Sequence, residues 1–165
     1  MHFAALRELV GSGWGFQNRQ RRPSPDPVNA MLSFGYTLLF SNVEASLAAH
    51  GLNRHLGFLH APSSGHPALA SDVMEEFRAP VVDSLILHLV MTGRIRPNDF
   101  SMGENGNCLM NDATLRRFIA AFEARMGGNF DEDGGGWRQA IDRQVRQFVG
   151  FLRGRADHYT PLRAR

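Results

Sequence analysis

DPVNAMLSFGYTLLFSNVEASLAAH, residues 26–50, predicts one long helix with a marked beginning and end. Asp26 can cap this helix, and Pro27 suits the first helical position, where its missing amide hydrogen costs nothing. Gly51 provides the C-terminal stop. Apolar residues recur near the helical period along one side. They are Val28, Met31, Leu32, Leu39, Val43 and Leu47.

Further helices are predicted before and after this one. Residues 2–10 carry Phe3, Leu6, Leu9 and Val10 at helical spacing and end at a glycine-rich stop, whereas residues 11–25 have no periodicity and predict a loop. Pro67 can open a helix that carries Asp72 and Glu75. Pro80 disfavours helical geometry at Ala79, so the helix breaks or kinks there.

The C-terminal half predicts three further helices. Residues 81–90 are apolar nearly all round, which indicates a buried helix whose Asp83 and His88 need partners. Residues 92–110 are irregular, Asp112 can cap the next helix, and residues 137–152 form the last. The residues expected to face inward are Leu115, Phe118, Ile119, Phe122, Met126, Ile141, Val145, Phe148 and Leu152. Strand signals are poor, so the fold class is all-α.

Length and composition favour one soluble domain. A chain of 165 residues can bury a substantial core, and its 43% hydrophobic and 21% charged residues are ordinary for a globular protein. We divide it into a helix (1–10), a linker loop (11–25), a helical core (26–153) and a basic tail (154–165). Neither a membrane span nor a signal peptide is evident, and the single Cys108 excludes an intrachain disulfide, so we expect a cytoplasmic protein.

All 18 basic residues are arginines, although the formal net charge is only +2. Arg19, Arg21 and Arg22 cluster in the linker, and further arginines make the C-terminal end basic. Because guanidinium groups bind phosphates in a bidentate manner, nucleic acid is an expected partner. Solvated helix faces in an arginine-rich protein are the alternative interpretation.

A second stretch, GFLHAPSSGHPALASDVMEEFR at residues 57–78, contains the candidate metal-ligating residues. It places one imidazole, His60, a short loop before the carboxylates of Asp72, Glu75 and Glu76. Asp72 and Glu75 share a helical face at i, i+3, and oxygen ligands suit hard divalent cations, so the pattern indicates metal-assisted phosphoryl transfer. A loop histidine followed by a solvated acidic helix face is the alternative.

This stretch closely resembles the signature of the CRISPR-associated spacer integrase, the universal adaptation endonuclease of CRISPR systems. Other segments resemble the same family in the same order: DPVNAMLSFGYTLL (26–39), APVVDSLILHLV (79–90), NDF (98–100) and AIDRQVRQF (140–148), followed by Tyr159 and Pro161. The resemblance implies the helical C-terminal lobe of that enzyme. It also implies metal-dependent phosphoryl transfer with Mg²⁺ or Mn²⁺, in which a DNA 3′-hydroxyl attacks and spacers enter the CRISPR array.

The resemblance assigns roles to individual residues. His60 and Asp72 match catalytic metal ligands, and Glu75 can bind the cation directly or through water. Residues expected to contact DNA are Arg21, Arg22, Tyr36, His66 and Arg78, with His66 standing where the family usually has arginine. Several alternatives remain open: Tyr36 can belong, with Asn29 and Ser33, to a polar seam between helices, and Arg78 can pair with Glu75 or Asp83.

The N-terminus departs from the family pattern. Members carry a β-rich N-terminal domain and then a helix whose glutamate supplies a third ligand, and this chain begins after that position; Glu8 is no substitute. We therefore expect an N-terminally truncated form with little activity alone, and the alternative function is a catalytically inactive DNA-binding or assembly fragment. Implied partners are DNA, as spacer precursor and CRISPR repeat, a small ferredoxin-like adaptation protein, and a second copy in a full-length homodimer.

Overall fold

The computed structural model describes residues 3–58, 67–128 and 135–162. Within these ranges the chain is mainly helical, which confirms the all-α prediction. The α-helices are α1 (Phe3–Val10), α2 (Pro27–Ala49), α3 (Ala68–Phe77), α4 (Ser84–Met91), α5 (Asp112–Gly127) and α6 (Trp137–Leu152). None of the helices in these ranges has both the length and the apolar character needed to cross a membrane.

The chain forms two compact units. The first comprises Met1–Thr37 and Ala79–Ala124, and the second comprises Leu38–Arg78 and Arg125–Arg165. In the first unit, α1 contacts α4, and the rings of Phe34 and Phe118 lie 5.8 Å apart. In the second unit, the Phe77 ring meets Trp137 edge-on at 6.4 Å, so each unit has its own aromatic core contacts.

The ends of α2 follow the local chemistry expected from the sequence. The Asn29 amide donates to Asp26 Oδ1 at 2.8 Å, which is the predicted cap. At the other end, Gly51 adopts a φ of 69° and the Leu52 amide donates to the Leu47 carbonyl at 3.0 Å. The six apolar positions predicted to face inward are completely buried.

Pro80 widens the helical path between α3 and α4 and does not end it. Arg78–Asp83 forms a π-helical segment that joins the two helices. Proline has no amide hydrogen to donate and its ring crowds the preceding turn, and a wider turn accommodates both. Ser84 Oγ donates to the Pro80 carbonyl at 2.6 Å. The expected break or kink at Ala79 is therefore a local change of helical pitch.

The region predicted to be irregular contains a small antiparallel hairpin. Its strands are β1 (Phe100–Met102) and β2 (Cys108–Met110), with Ser101 paired to Leu109. The turn is closed by the Gly103 amide, which donates to the Asn107 carbonyl at 2.8 Å. Strands of three residues are too short to show a period of two in the sequence, so the hairpin was not predicted.

Some details of the predicted helix ends and faces were wrong. Asn111, not Asp112, caps α5, because the Thr114 amide donates to Asn111 Oδ1 at 2.8 Å. Ile119 on α5 and Leu152, the last residue of α6, are exposed. His88 is exposed to solvent and needs no buried partner.

Candidate functional site

Of the two predicted metal ligands that the structure describes, Asp72 is more deeply buried than Glu75. Its side chain is only 1% exposed on α3, and its Oδ2 accepts a hydrogen bond from the Phe58 amide at 2.6 Å. Phe58 precedes His60 by two residues. The carboxylate is thus oriented by the backbone that leads directly into the predicted histidine ligand.

Gly57 allows this close approach. A Cβ atom at Gly57 would lie 2.8 Å from Asp72 Oδ2 and 2.6 Å from the Ala68 Cβ. Only a residue without a side chain fits between the loop and α3 at this distance. Gly57 and Phe58 belong to the sequence motif of residues 57–78, but the sequence alone does not indicate a role for either.

Glu75 and Arg78 form an ion pair on the next turn of α3. Arg78 Nη1 lies 2.8 Å from Glu75 Oε1, and the Glu75 side chain is 41% exposed. This is one of the two ion pairs that the sequence left open for Arg78. Glu75 lies on the same helical face as Asp72, as predicted from the i, i+3 spacing.

The two histidines of the motif, His60 and His66, lie outside the described residues. Their predicted roles as a metal ligand and a DNA contact stay predictions. Among residues 3–58, 67–128 and 135–162, no three His, Cys, Asp or Glu side chains come together as a possible metal site. The described part of the candidate site therefore consists of the carboxylates of Asp72 and Glu75.

Glu76 has a role that the sequence did not reveal. Its Oε1 accepts a hydrogen bond from the Tyr159 hydroxyl, and its Oε2 accepts one from the Leu162 amide at 2.7 Å. Burial raises the pKa of the Glu76 carboxyl above its ordinary value, and these hydrogen bonds oppose the rise. Burial and the contact with Glu76 raise the pKa of the Tyr159 hydroxyl above its ordinary value.

In the first unit, Tyr36 is half-buried and held on two sides. Its hydroxyl donates to Asp83 Oδ1 at 2.6 Å, which supplies the partner predicted for the buried Asp83. The Arg19 guanidinium lies over the ring, 5.6 Å from its centroid. These contacts match the polar-seam interpretation of this helix and leave the predicted DNA contact of Tyr36 untested.

Asn29 and Ser33 complete this polar seam. Asn29 is fully buried; its Oδ1 accepts from the Gln20 amide at 2.8 Å, and its Nδ2 donates to Asp26 Oδ2 at 2.7 Å. Arg19 donates to Asn29 Oδ1 at 3.0 Å and to Ser33 Oγ at 3.1 Å. Arg19 is therefore integrated into the fold, unlike its neighbours in the predicted basic cluster.

Arg21 and Arg22 are exposed in the segment before α2. Exposed guanidinium groups at this place can neutralise phosphates without losing a structural contact. The structure thus places Arg21, Arg22 and Tyr36 in the first unit, and Asp72, Glu75 and Arg78 in the second. The first group offers cationic and aromatic contacts, and the second offers oxygen ligands for a hard cation.

Comparison with known proteins identifies a family. The family model described as "CRISPR associated protein Cas1" matches residues 1–124. A "CRISPR-associated exonuclease Cas4/endonuclease Cas1 fusion" of Geobacter sulfurreducens is 40% identical over 153 residues, which cover 90% of this chain and 27% of the relative. A "CRISPR-associated endonuclease Cas1 1" of Thermus thermophilus is 39% identical over 165 residues, or 98% of this chain and 51% of the relative.

Solved structures agree with this family and with the fold. A "Casposase bound to integration product" superposes with a TM-score of 0.86 at 26% identity and covers 94% of this chain and 45% of that chain. A "Cas6-RT-Cas1--Cas2 complex" gives a TM-score of 0.86 at 27% identity and covers 97% of this chain and 18% of that one. The chain spans about half the length, or less, of these relatives.

Proposed function

Because the chain belongs to the family of CRISPR-associated Cas1 proteins, whose curated relatives are named endonucleases, we propose that it is the helical part of a CRISPR spacer integrase. In this proposal it supplies ligands for a divalent cation, Mg²⁺ or Mn²⁺, and the reaction is DNA phosphoryl transfer that inserts spacers into the CRISPR array. The observation that carries the proposal is the buried Asp72 carboxylate, oriented by the Phe58 amide at the start of the segment that contains His60.

The described donors fit a hard divalent cation. Asp72 and Glu75 offer carboxylate oxygens from one helical face, and oxygen is the ligand that Mg²⁺ and Mn²⁺ prefer. The Phe58 amide occupies one acceptor site of Asp72 Oδ2, and an ionised carboxylate has about four such sites. A hydrogen bond of this kind fixes the direction of a ligand carboxylate.

The residues of this chain bind and orient, and none acts as a nucleophile. A bound divalent cation would stabilise the charge that develops on the scissile phosphate and on the attacking and leaving oxygens. Asp72 and His60 would hold it, Glu75 would bind at its edge, and Arg78 would keep Glu75 in place through their ion pair. A DNA 3′-hydroxyl attacks in this scheme, so the protein supplies positioning and charge.

The proposed partners are DNA and a small adaptation protein. Arg21, Arg22, Tyr36, His66 and Arg78 are the proposed DNA contacts. Two similar structures support both kinds of partner, since one is of a casposase bound to an integration product and the other is of a complex that contains Cas1 and Cas2. We extend the proposal to the ferredoxin-like fold of that partner and to a homodimer of the longer protein.

Metal titration tests the proposal at its central residue. Mn²⁺ binding to the 165-residue chain is measured by calorimetry or by the loss of the free-ion EPR signal, for the native sequence, for Asp72→Asn and for Glu104→Gln. Glu104 is exposed in the hairpin turn and is a matched loss of one carboxylate. We expect Asp72→Asn to weaken binding at least about tenfold and Glu104→Gln to leave it unchanged. Equal binding by all three proteins contradicts the site.

Measurements of turnover distinguish the proposed integrase from the alternative, a catalytically inactive DNA-binding or assembly fragment. Cleavage and strand transfer on branched DNA are compared between this chain and a longer polypeptide that joins it to the N-terminal half of the Thermus thermophilus relative. Metal-dependent turnover that Asp72→Asn removes from the longer protein supports the integrase. Salt-sensitive DNA binding without turnover in either protein supports the inactive DNA-binding or assembly fragment.

A further inference from the structure

Tyr159, in the segment after α6, contacts both parts of the chain that define the Asp72 site. Its hydroxyl donates to Glu76 on α3. Its ring meets the Phe58 ring edge-on, with centroids 6.5 Å apart, and lies 5.5 Å from the Phe148 ring. Phe58 also contacts Phe148 at 5.6 Å, so the three rings form one cluster. A single side chain thus bridges α3 and the segment that begins at Gly57.

Four hydrogen bonds anchor the segment that carries Tyr159. Besides the bond to Glu76, the Leu162 amide donates to Glu76 Oε2 at 2.7 Å. Gln144 Nε2 on α6 donates to the Tyr159 hydroxyl oxygen at 3.1 Å and to the Thr160 carbonyl at 2.7 Å. Gln144 is buried and Tyr159 is half-buried. Partly buried polar groups that satisfy each other in this way hold one geometry.

The spacing on α3 connects this cluster to the candidate ligand. Glu76 follows Asp72 by four residues, so the two side chains lie one above the other on the same helical face. Phe58, in turn, donates its amide to Asp72 Oδ2 at 2.6 Å. Asp72 is therefore held by its helix on one side and by Phe58 on the other, and Tyr159 contacts the neighbours on both sides.

We propose that Tyr159 is a positioning residue for the metal site: through Glu76 and Phe58 it fixes the Phe58 amide relative to α3 and thereby the direction of the Asp72 carboxylate. The inference rests on the proposed function, because the direction of Asp72 matters for catalysis only if Asp72 binds the cation. Tyr159 itself touches neither a cation nor DNA in this scheme. Changing it acts on metal affinity through the geometry of Asp72.

Two variants and one control separate positioning from general stability. Tyr159→Ala removes both the ring contact and the hydroxyl, whereas Tyr159→Phe removes the hydroxyl alone. Ile141→Val is the control, since Ile141 is a buried residue of α6 in the same unit and loses one methylene group without a polar contact. Three quantities are measured for each protein: the melting temperature, the hydrogen-exchange rate of the Phe58 amide without metal, and the affinity for Mn²⁺.

For Tyr159→Ala we expect Phe58 amide exchange to accelerate at least about tenfold and Mn²⁺ affinity to fall about 10- to 100-fold. Tyr159→Phe should show intermediate changes in both. Ile141→Val should lower the melting temperature while leaving the exchange rate and the affinity within about twofold of the native protein. If Tyr159→Ala does not fold, the comparison of Tyr159→Phe with Ile141→Val decides whether Tyr159 positions the metal site or only stabilises the fold.

Each outcome has a separate meaning. An unchanged hydrogen-exchange rate of the Phe58 amide in the tyrosine variants overturns the inference, whether or not their Mn²⁺ affinity changes. Equal losses of Mn²⁺ affinity in Ile141→Val and in a tyrosine variant of the same melting temperature also overturn it, because stability alone would then explain the effect. A native protein that binds no Mn²⁺ contradicts the proposed function, and the exchange rates still show whether Tyr159 fixes the Phe58 amide.

Discussion

At the scale of single residues, Gly57 leaves no space for even a methyl group beside Asp72. A Cβ there would lie 2.8 Å from Asp72 Oδ2, 2.6 Å from Ala68 Cβ and 2.9 Å from the Ala68 carbonyl carbon. Gly57→Ala must displace the loop or α3, and we expect it to destabilise the protein by about 1–3 kcal/mol and to weaken Mn²⁺ binding. Urea unfolding and metal titration measure the two effects.

Gly150→Ala is the matched control for this prediction. Gly150 lies within α6, and a Cβ built there has no neighbour within 4 Å. Alanine restricts the unfolded chain and favours the helix, so this variant should be more stable by about 0.5–1 kcal/mol. If Gly57→Ala lowers the stability and Gly150→Ala raises it, crowding at Gly57 is the cause of the loss. If both substitutions change the stability in the same direction, the packing argument is contradicted.

Asp142 on α6 gives a second residue-scale prediction, which concerns pH. Its Oδ1 lies 2.7 Å from His50 Nε2, and its Oδ2 lies 2.5 Å from Arg146 Nη2. The hydrogen bond from His50 lowers the pKa of the Asp142 carboxyl below its ordinary value of 3.8, and Arg146 adds to the effect. A lowered folded-state pKa stabilises the protein above the unfolded value, and this contribution disappears as the pH falls through the folded value.

The test compares the native chain with Asp142→Asn by urea unfolding from pH 7 down to about pH 3. At neutral pH the variant should be less stable by at most about 1 kcal/mol, because the pair is partly exposed and screened by solvent. The difference should shrink as the pH falls below 3.8. A difference that stays constant over this range would show that the carboxylate charge is not the source of the stabilisation.

At the scale of elements, the start of α5 gives two neighbouring residues, Asn111 and Asp112, different roles. Asn111 accepts the Thr114 amide at 2.8 Å, whereas Asp112 is the first helical residue. Asn111→Ala should therefore cost about 0.5–2 kcal/mol, while Asp112→Ala removes only a favourable charge in the first turn, worth about 0.3–1 kcal/mol. Unfolding of the two variants in urea checks the order, and a larger loss for Asp112→Ala would contradict the observed cap.

The elements also show which structure local sequence can predict. The start of α2 at Asp26 and its stop at Gly51 depend on residues within one turn, so both were correct. The hairpin depends on pairing across a turn between strands of three residues. The π-helical segment at Pro80 depends on how the helix accommodates a residue that has no backbone amide hydrogen. Neither has a periodic signal, since both arise from tertiary context.

At the scale of the whole molecule, long-range contacts set the limit of prediction. Tyr159 and Pro161 belong to the sequence pattern that resembles the family, but Glu76, which accepts the hydrogen bond from Tyr159, lies 83 residues away along the chain. The same holds for Tyr36 and Asp83, which are 47 residues apart. Sequence motifs identified the residue types of the candidate site, whereas the contacts that orient them required the folded chain.

DNA binding is the prediction that belongs to the whole molecule. The net charge is only +2, so affinity must come from local groups of arginines and not from the overall field. Because no recognition-helix pattern is evident, we expect binding to duplex or branched DNA without strong sequence preference and with affinity that falls steeply as salt increases. Fluorescence anisotropy at several ionic strengths measures both properties.

The contribution of the exposed Arg21 and Arg22 is tested against a second pair with the same change of charge. The Arg21→Gln/Arg22→Gln double variant should lower the slope of log affinity against log salt concentration by up to about 2, because each lost phosphate contact lowers it by about 0.9. Arg94→Gln/Arg116→Gln removes two exposed arginines elsewhere in the same unit and should change the slope little. Equal slopes in the two double variants would show that net charge alone controls binding, and affinity that does not change with salt would exclude phosphate contacts as its source.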